Sequence, residues 1–330
     1  MRVHVQNPAN ETLFPITPEQ WAAAVARAPD MADLEVSYAD DDAGFAAALP
    51  QADALLTWVK EVHTRIAVPR LALPERLKVI FCTSAGVDRL LPLGEWLPPG
   101  VALLNNRGTH AAKAGEFGIM ALLMLANHLP VFAHDARAGR WAPRFGSVLA
   151  GRTVCVVGLG SLGGAVAAWA KQFGMHVIGV RHSAAPHESC HEVVSQADLE
   201  TVLPRSEFLV IACPLTPQTQ GLFDRRRLAL LPQGGKVVNI GRGALWDQEA
   251  ACNLLDAGHL AGCVTDVAVP EPLPQEHRLW RTPGMFVTPH MSADDPGTYN
   301  DRSLDIFFEN LRALRQGAPL PNRIRPERGY

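Results

Sequence analysis

In the first third of the chain, apolar residues come in short runs at 2–5, 34–38, 54–58 and 78–82, which read as strands. Stretches with helical spacing at 18–27, 42–49 and 69–76 lie between them, and this alternation predicts a parallel sheet. The segment 112–127 is apolar nearly all round, which predicts a buried helix, and Gly139-Arg140-Trp141-Ala142-Pro143 then breaks the pattern. Beyond residue 153 the rhythm restarts, with strands at 153–157, 176–180, 207–212, 236–240, 261–267 and 285–288. Helices at 162–173, 197–203, 224–230 and 247–257 separate them. Six strands with crossover helices describe a doubly wound α/β domain. An amphipathic helix at 296–315 and a proline-rich tail close the chain.

At 330 residues the chain suffices for two domains of roughly 150 residues each. Its 48% hydrophobic content supplies a packed core and excludes a disordered chain. The net charge of −3 comes without any basic stripe, so no nucleic-acid partner is expected. The first residues lack the pattern of a signal peptide. The uncharged stretch 153–170 carries four glycines, and 117–133 is interrupted by Asn127, His128 and Pro130. Neither reads as a membrane span, which needs about 20 apolar residues. The six cysteines include no C-x-x-C pair, so free thiols in a cytoplasmic setting are expected.

The strand at 153–157 runs into Gly158-Leu159-Gly160-Ser161-Leu162-Gly163, a G-x-G-x-x-G that opens a helix. In that pattern the glycines permit the tight turn, the approach of a pyrophosphate and close helix–strand packing. The helix N-terminus then offers free N–H groups to phosphate. An NAD site expects a carboxylate about 20 residues on, to hold the ribose hydroxyls. No acidic residue occurs between Gly158 and His187; the second strand ends instead in Arg181-His182-Ser183. A guanidinium and a hydroxyl there suit a 2′-phosphate, which favours NADP(H) over NAD(H). The alternative is that Arg181 is only a solvated strand-end residue.

Three later strands end in ionisable residues: Arg242 in Gly241-Arg242-Gly243, Glu271 in Pro270-Glu271-Pro272, and His290 in Thr288-Pro289-His290. Each alone reads better as a loop charge or a capping His. Together behind a nucleotide loop they suit hydride transfer to a 2-oxo acid. Arg polarises the carbonyl and clamps the carboxylate, His gives the proton, and Glu fixes the imidazole tautomer and raises its pKa. A zinc site at His182, His187, Cys190 and His191 matches no standard spacing, and no metal is expected.

With these motifs in order the sequence resembles the D-isomer-specific 2-hydroxyacid dehydrogenases. The resemblance rests on the glycine loop, Cys213-Pro214-Leu215-Thr216-Pro217, Val238-Asn239-Ile240-Gly241-Arg242-Gly243, Asp266-Val267 through Glu271-Pro272-Leu273-Pro274, and Thr288-Pro289-His290. Thr83-Ser84-Ala85-Gly86-Val87-Asp88 is similar to the family's substrate-carboxylate loop. Within the family, Arg181-His182-Ser183, Trp58 and the closing Arg328-Gly329-Tyr330 look most like the NADPH-dependent glyoxylate/hydroxypyruvate reductases.

That resemblance implies two Rossmann-like domains. A doubly wound cofactor domain, 105–296, would be inserted into a flavodoxin-like substrate domain made of 1–104 and 297–330. It casts Arg242, Glu271 and His290 as the catalytic trio, and Ala85 and Gly86 as N–H donors to the substrate carboxylate. Trp58, at the end of a substrate-domain strand, reads equally as a wall of the substrate pocket and as simple core or surface packing. Asp266 would bind the nicotinamide amide, and Cys213, Pro214, Thr219, Ile240, Gly241 and Ser292 would line the cofactor cleft. A homodimer joined through the cofactor domain is implied as well. The expected activity is NADPH-dependent reduction of a small 2-oxo acid to a D-2-hydroxy acid. The alternatives are an NAD-dependent dehydrogenase of the same family and a non-catalytic dinucleotide-sensing protein.

Overall fold

The structure is a computed structural model that describes residues 1–9 and 14–325. Arg328-Gly329-Tyr330 therefore lies outside the described residues. The chain forms two compact units, one from Met1–His110 with Asp295–Tyr330 and one from Ala111–Asp294. The boundaries fall after His110 rather than 104 and before Asp295 rather than after 296. Side-chain bonds hold the 105–110 segment to the first unit: Asn105 Nδ2 donates to Ala85 O and Asn106 Nδ2 to Thr83 O.

The first unit carries a five-stranded sheet of order β2-β1-β3-β4-β5, the flavodoxin-like order. Its strands are β1 (Arg2–Gln6), β2 (Glu35–Ala39), β3 (Ala54–Thr57), β4 (Val79–Cys82) and β5 (Ala102–Leu104), all parallel. Strands β3 and β4 are buried throughout, as a sheet covered on both faces requires. One face packs on the helices Pro18–Arg27 and Tyr299–Arg315, where Trp21 meets Phe308 edge-on at 5.2 Å. Thr17 opens the first of these helices with a capping box completed by Gln20.

The second unit carries a seven-stranded parallel sheet of order β12-β11-β10-β9-β6-β7-β8. Its strands are β6 (Thr153–Val157), β7 (His176–Arg181), β8 (Glu192–Ser195), β9 (Phe208–Ile211), β10 (Gly235–Asn239), β11 (Leu260–Thr265) and β12 (Met285–Val287). The strand order reverses between β6 and β9, the switch point where doubly wound folds place their ligands. Register aligns the carboxyl ends: Val157 and Asn239 both pair with Ile211, Asn239 pairs with Thr265, and Thr265 pairs with Val287. The loops after these strands consequently emerge side by side.

The segment 69–76 is not a helix. A short helix, Val59–Val62, precedes it and runs into a wide turn at His63–Ala67. Pro69 and Pro74 remove backbone donors, and Arg70 adopts a left-handed φ of 52°. The hydrophobic pattern also missed β5, β8 and the helix Leu129–Arg137. Strand β5 is three residues long, and β8 is a half-buried edge strand, so neither presents a long apolar run. The last helix starts at Tyr299 rather than 296, because Pro296 and Gly297 lie in a turn closed by Asp295. Among the described residues no single helix is long and apolar enough to cross a membrane.

Candidate active site

At the switch point, Gly158 takes a φ of 96° immediately after β6. A Cβ there would lie 2.5 Å from the Cys213 backbone, so only glycine fits. The helix Ser161–Gln172 begins at Gly160 with no side-chain cap on its first N–H groups. Among the described residues, no atom other than those of its chain neighbours lies within 4 Å of where a Gly160 Cβ would be, so the space beside this glycine is open. An uncapped helix end and an open glycine cradle fit the pyrophosphate of a dinucleotide. Leu162 and Ser161 form the first turn of the helix, and Leu159 packs against Gly179 of β7.

Arg181 ends β7 and pairs in register with Ser195 of β8. Among the described residues its side chain makes no hydrogen bond or ion pair, and His182 and Ser183 beside it are exposed. The neighbouring histidines do not converge. His187 Nδ1 accepts the Ser189 N–H, while His191 Nδ1 accepts the Val177 N–H and its ring stacks on His176 at 5.0 Å. Among the described residues no group of His, Cys, Asp or Glu is arranged to hold a metal.

After β9 come Cys213 and Pro214, with the Cys213 thiol buried and its pKa pushed up to about 12 by desolvation. The Thr219 hydroxyl is spent within its own turn, accepting from Thr216 N–H at 2.8 Å and donating to Pro214 O at 2.7 Å. Beyond β10, Ile240 and Gly241 are buried. The Asn239 side chain holds Gly241 N–H and Arg242 O at 3.0 and 3.1 Å, fixing the turn that presents Arg242.

Asp266, 1% exposed after β11, anchors the loop that carries His290. Its carboxylate accepts from the Thr288 hydroxyl at 2.7 Å and from the N–H groups of Met291 and Ser292, each at 2.9 Å. Its carbonyl accepts the His290 N–H, also at 2.9 Å. These bonds hold His290 at a φ of 54°, a conformation that a non-glycine residue keeps only when its surroundings impose it. Sequence reading assigned Asp266 and Ser292 to the cofactor and missed this supporting role, for which Thr288 gave no separate signal.

His290 Nδ1 and Glu271 Oε2 lie 2.9 Å apart, and Glu271 Oε1 accepts the Ala268 N–H at 2.9 Å. The hydrogen bond that His290 donates to the Glu271 carboxylate is the main cause that raises the His290 pKa above its ordinary value, against desolvation and the charge of Arg242. For Glu271, burial is the largest single influence and pushes the carboxyl up. The bonds from His290 and Ala268 with the nearby charges of His290 and Arg242 outweigh it, and its pKa ends lowered. Arg242, Glu271 and His290 therefore share one electrostatic neighbourhood. The arrangement can hold an imidazolium by Nδ1 and leave Nε2 as the proton-bearing edge.

In the first unit, Trp58 follows β3 and Ala85 and Gly86 follow β4, also at carboxyl ends of strands. Trp58 lies nearly parallel to Phe14 and Tyr299, with ring centroids 6.2 and 6.3 Å away, and Phe14 stacks on Tyr299 at 4.3 Å. Neither Phe14 nor Tyr299 stood out in the sequence, where no spacing links them to residue 58.

A switch-point glycine loop, an open helix N-terminus and a His–Glu pair at aligned strand ends define a dinucleotide-binding α/β protein of the Rossmann type. The profile of the D-isomer specific 2-hydroxyacid dehydrogenase NAD binding domain matches residues 119–292, more than half of the chain. The protein belongs to the D-isomer specific 2-hydroxyacid dehydrogenase family. D-3-phosphoglycerate dehydrogenase of Mycobacterium leprae is 29% identical over 300 residues, covering 90% of this chain and 56% of the relative. The chain thus spans about half the length of that curated relative. A solved D-isomer specific 2-hydroxyacid dehydrogenase from Xanthobacter autotrophicus Py2, in complex with NADPH and MES, superposes with a TM-score of 0.82 at 28% identity, covering 100% of this chain and 99% of that one. An NADPH-dependent glyoxylate/hydroxypyruvate reductase from Sinorhizobium meliloti, in complex with NADP and sulfate, gives a TM-score of 0.80 at 28% identity with the same coverage.

Proposed function

We propose that this protein reduces a small 2-oxo acid of the glyoxylate/hydroxypyruvate kind to a D-2-hydroxy acid, using NADPH. The observation that carries the reading is the 2.9 Å His290–Glu271 pair within the field of Arg242, on the sheet that bears the dinucleotide loop. When bound along Gly158, Gly160 and the following helix N-terminus, the dinucleotide supplies the hydride. Arg242 draws electron density onto the carbonyl oxygen and holds the substrate carboxylate through its planar donor face. His290 donates the Nε2 proton to that oxygen, while Glu271 keeps Nδ1 protonated and the ring charged. Ala85 and Gly86 bind the carboxylate through their N–H groups, and Trp58 contributes an apolar wall.

Arg181 serves the 2′-phosphate in this reading. Its guanidinium, without a partner among the described residues, the missing acid after β7 and the NADPH and NADP complexes of the two solved relatives support that assignment. We assign the second unit a homodimer interface. Trp141 and Phe145 are 99% and 94% exposed in a segment without regular structure, two large aromatic faces close together on the surface, the kind of apolar patch that marks an interaction site. That segment is pinned by Arg140 to the buried Asp135 at 2.7 Å and by His128 to Phe145 O at 3.2 Å.

The test is a steady-state assay with glyoxylate, hydroxypyruvate, pyruvate and phenylpyruvate, each with NADPH and with NADH. Turnover that prefers NADPH supports the whole reading. A preference for NADH removes the role of Arg181 and points to the NAD-dependent alternative. No turnover with measurable dinucleotide binding favours a sensing protein instead.

A further inference from the structure

The loop that follows β4 has three consecutive carbonyls tied to neighbouring segments of the first unit. Thr83 O accepts from Tyr299 Oη at 2.6 Å and from Asn106 Nδ2 at 2.8 Å. Ser84 O accepts the Asn106 N–H at 3.1 Å, and Ala85 O accepts from Asn105 Nδ2 at 2.8 Å. In a planar trans peptide the carbonyl of one residue and the N–H of the next point in opposite directions. None of these peptides is cis. Anchoring the three carbonyls therefore aims the N–H groups of Ser84, Ala85 and Gly86 away from their anchors. Among the described residues those three N–H groups have no acceptor.

The anchors are themselves held by a buried polar network. Asn322 Nδ2 donates to the carbonyls of Asn105 and Arg107 at 2.9 and 2.8 Å. Asn310 and Asn322 exchange two hydrogen bonds, at 3.0 and 3.1 Å. Asn106 donates to the Ser303 hydroxyl at 2.7 Å and accepts from Thr109 at 2.6 Å. Asn105, Asn106, Asn310 and Asn322 are all buried. Buried amides cost free energy unless fully bonded, and apolar side chains would fill the same space more cheaply. What the network yields is a fixed direction for the loop's peptide groups.

We propose that Asn105, Asn106 and Tyr299 are positioning residues for the substrate carboxylate, presenting Ser84, Ala85 and Gly86 as a preformed row of three N–H donors. Successive backbone N–H groups with a common direction bind anions without the cost of reorganising. The inference rests on the proposed function, in which this loop takes the carboxylate, and it adds Ser84 and the three anchors to it.

The experiment compares the wild type with Asn105→Ala and Tyr299→Phe. KM and kcat are measured for the best 2-oxo acid, oxamate affinity (a non-reducible carboxylate) by calorimetry with NADPH present, and NADPH affinity alone. We expect Asn105→Ala to raise KM and the oxamate Kd roughly tenfold and Tyr299→Phe roughly threefold, the scale of one lost hydrogen bond. Saturating kcat and NADPH affinity should stay near wild type. Unchanged KM and oxamate affinity in a folded variant overturn the inference, as does a parallel fall of kcat and NADPH affinity, which marks a merely structural role. Tyr299→Phe removes one hydroxyl and carries the test if Asn105→Ala does not fold. A wild type that neither reduces a 2-oxo acid nor binds oxamate overturns the proposed function, and this inference with it. An active wild type with wild-type-like variants overturns this inference alone.

Discussion

The Glu271 carboxylate joins His290 to the main chain of its own loop: Oε2 lies 2.9 Å from the imidazole Nδ1 while Oε1 takes the Ala268 N–H. One oxygen anchors the acid and the other sets the orientation and charge of the base. A carboxylate with a partner on each oxygen is held in place beside the ring, which suits the proposed role of His290 as a proton donor.

Replacing His290 by Asn removes the proton donor and leaves the glycine loop untouched. Turnover of a 2-oxo acid should fall by ~10²–10⁴ while NADPH binding, followed by fluorescence titration, stays near wild type. Undiminished turnover would take His290 out of the mechanism.

The pH profile should carry the signature of the pair. In the proposed reduction the imidazolium is the proton donor, so kcat is expected to be highest below the raised His290 pKa and to decline as pH rises through it. In Glu271→Gln the main cause of that elevation is gone, and the decline should move to lower pH. The pair's contribution to stability has the same sign. It is complete below the ordinary imidazole pKa and fades as pH rises through the raised one, and on the acid side it fades as pH falls through the lowered Glu271 value. With the two side chains 48% and 34% exposed, solvent screening keeps that contribution small, so rate rather than melting temperature is the sensitive readout. Identical profiles for wild type and Glu271→Gln would contradict the assignment.

Arg181→Asp places a carboxylate where a guanidinium ends β7. The affinity for NADPH should drop far more than that for NADH, through the lost charge-assisted contact and the repulsion that replaces it. Titrating both cofactors against the variant decides this, and equal losses would remove Arg181 from cofactor selection.

Substituting Trp141 and Phe145 together by serine removes the two most exposed large apolar side chains of the second unit. Sedimentation should show the wild type as a dimer and the variant shifted toward monomer. A wild-type monomer would refute the interface.

Much of this protein follows from the order of residues alone. The alternation of apolar runs with helical stretches marks two parallel-sheet units, because strands buried on both faces must be apolar throughout. The G-x-G-x-x-G, the missing acid after β7 and the three strand-end residues are likewise local. Each sits in a strand-to-loop junction of fixed spacing, so its neighbours in sequence are its neighbours in space. Elements with little local signal escaped: the three-residue β5, the half-buried β8, and the 69–76 stretch, whose prolines outweighed its helical spacing.

Only tertiary structure decided the rest. Asp266 supports the His290 loop across 24 positions, and Tyr299 reaches Thr83 across 216, through hydrogen bonds that no periodicity announces. The buried asparagines show the same limit. A polar side chain reads as surface until folding supplies its partners, and those partners come from segments that only the closed chain brings together. Sequence thus marked the candidate site residues, because strand ends present them in order. The fold determined how rigidly they are held, because hydrogen-bond geometry depends on neighbours distant along the chain.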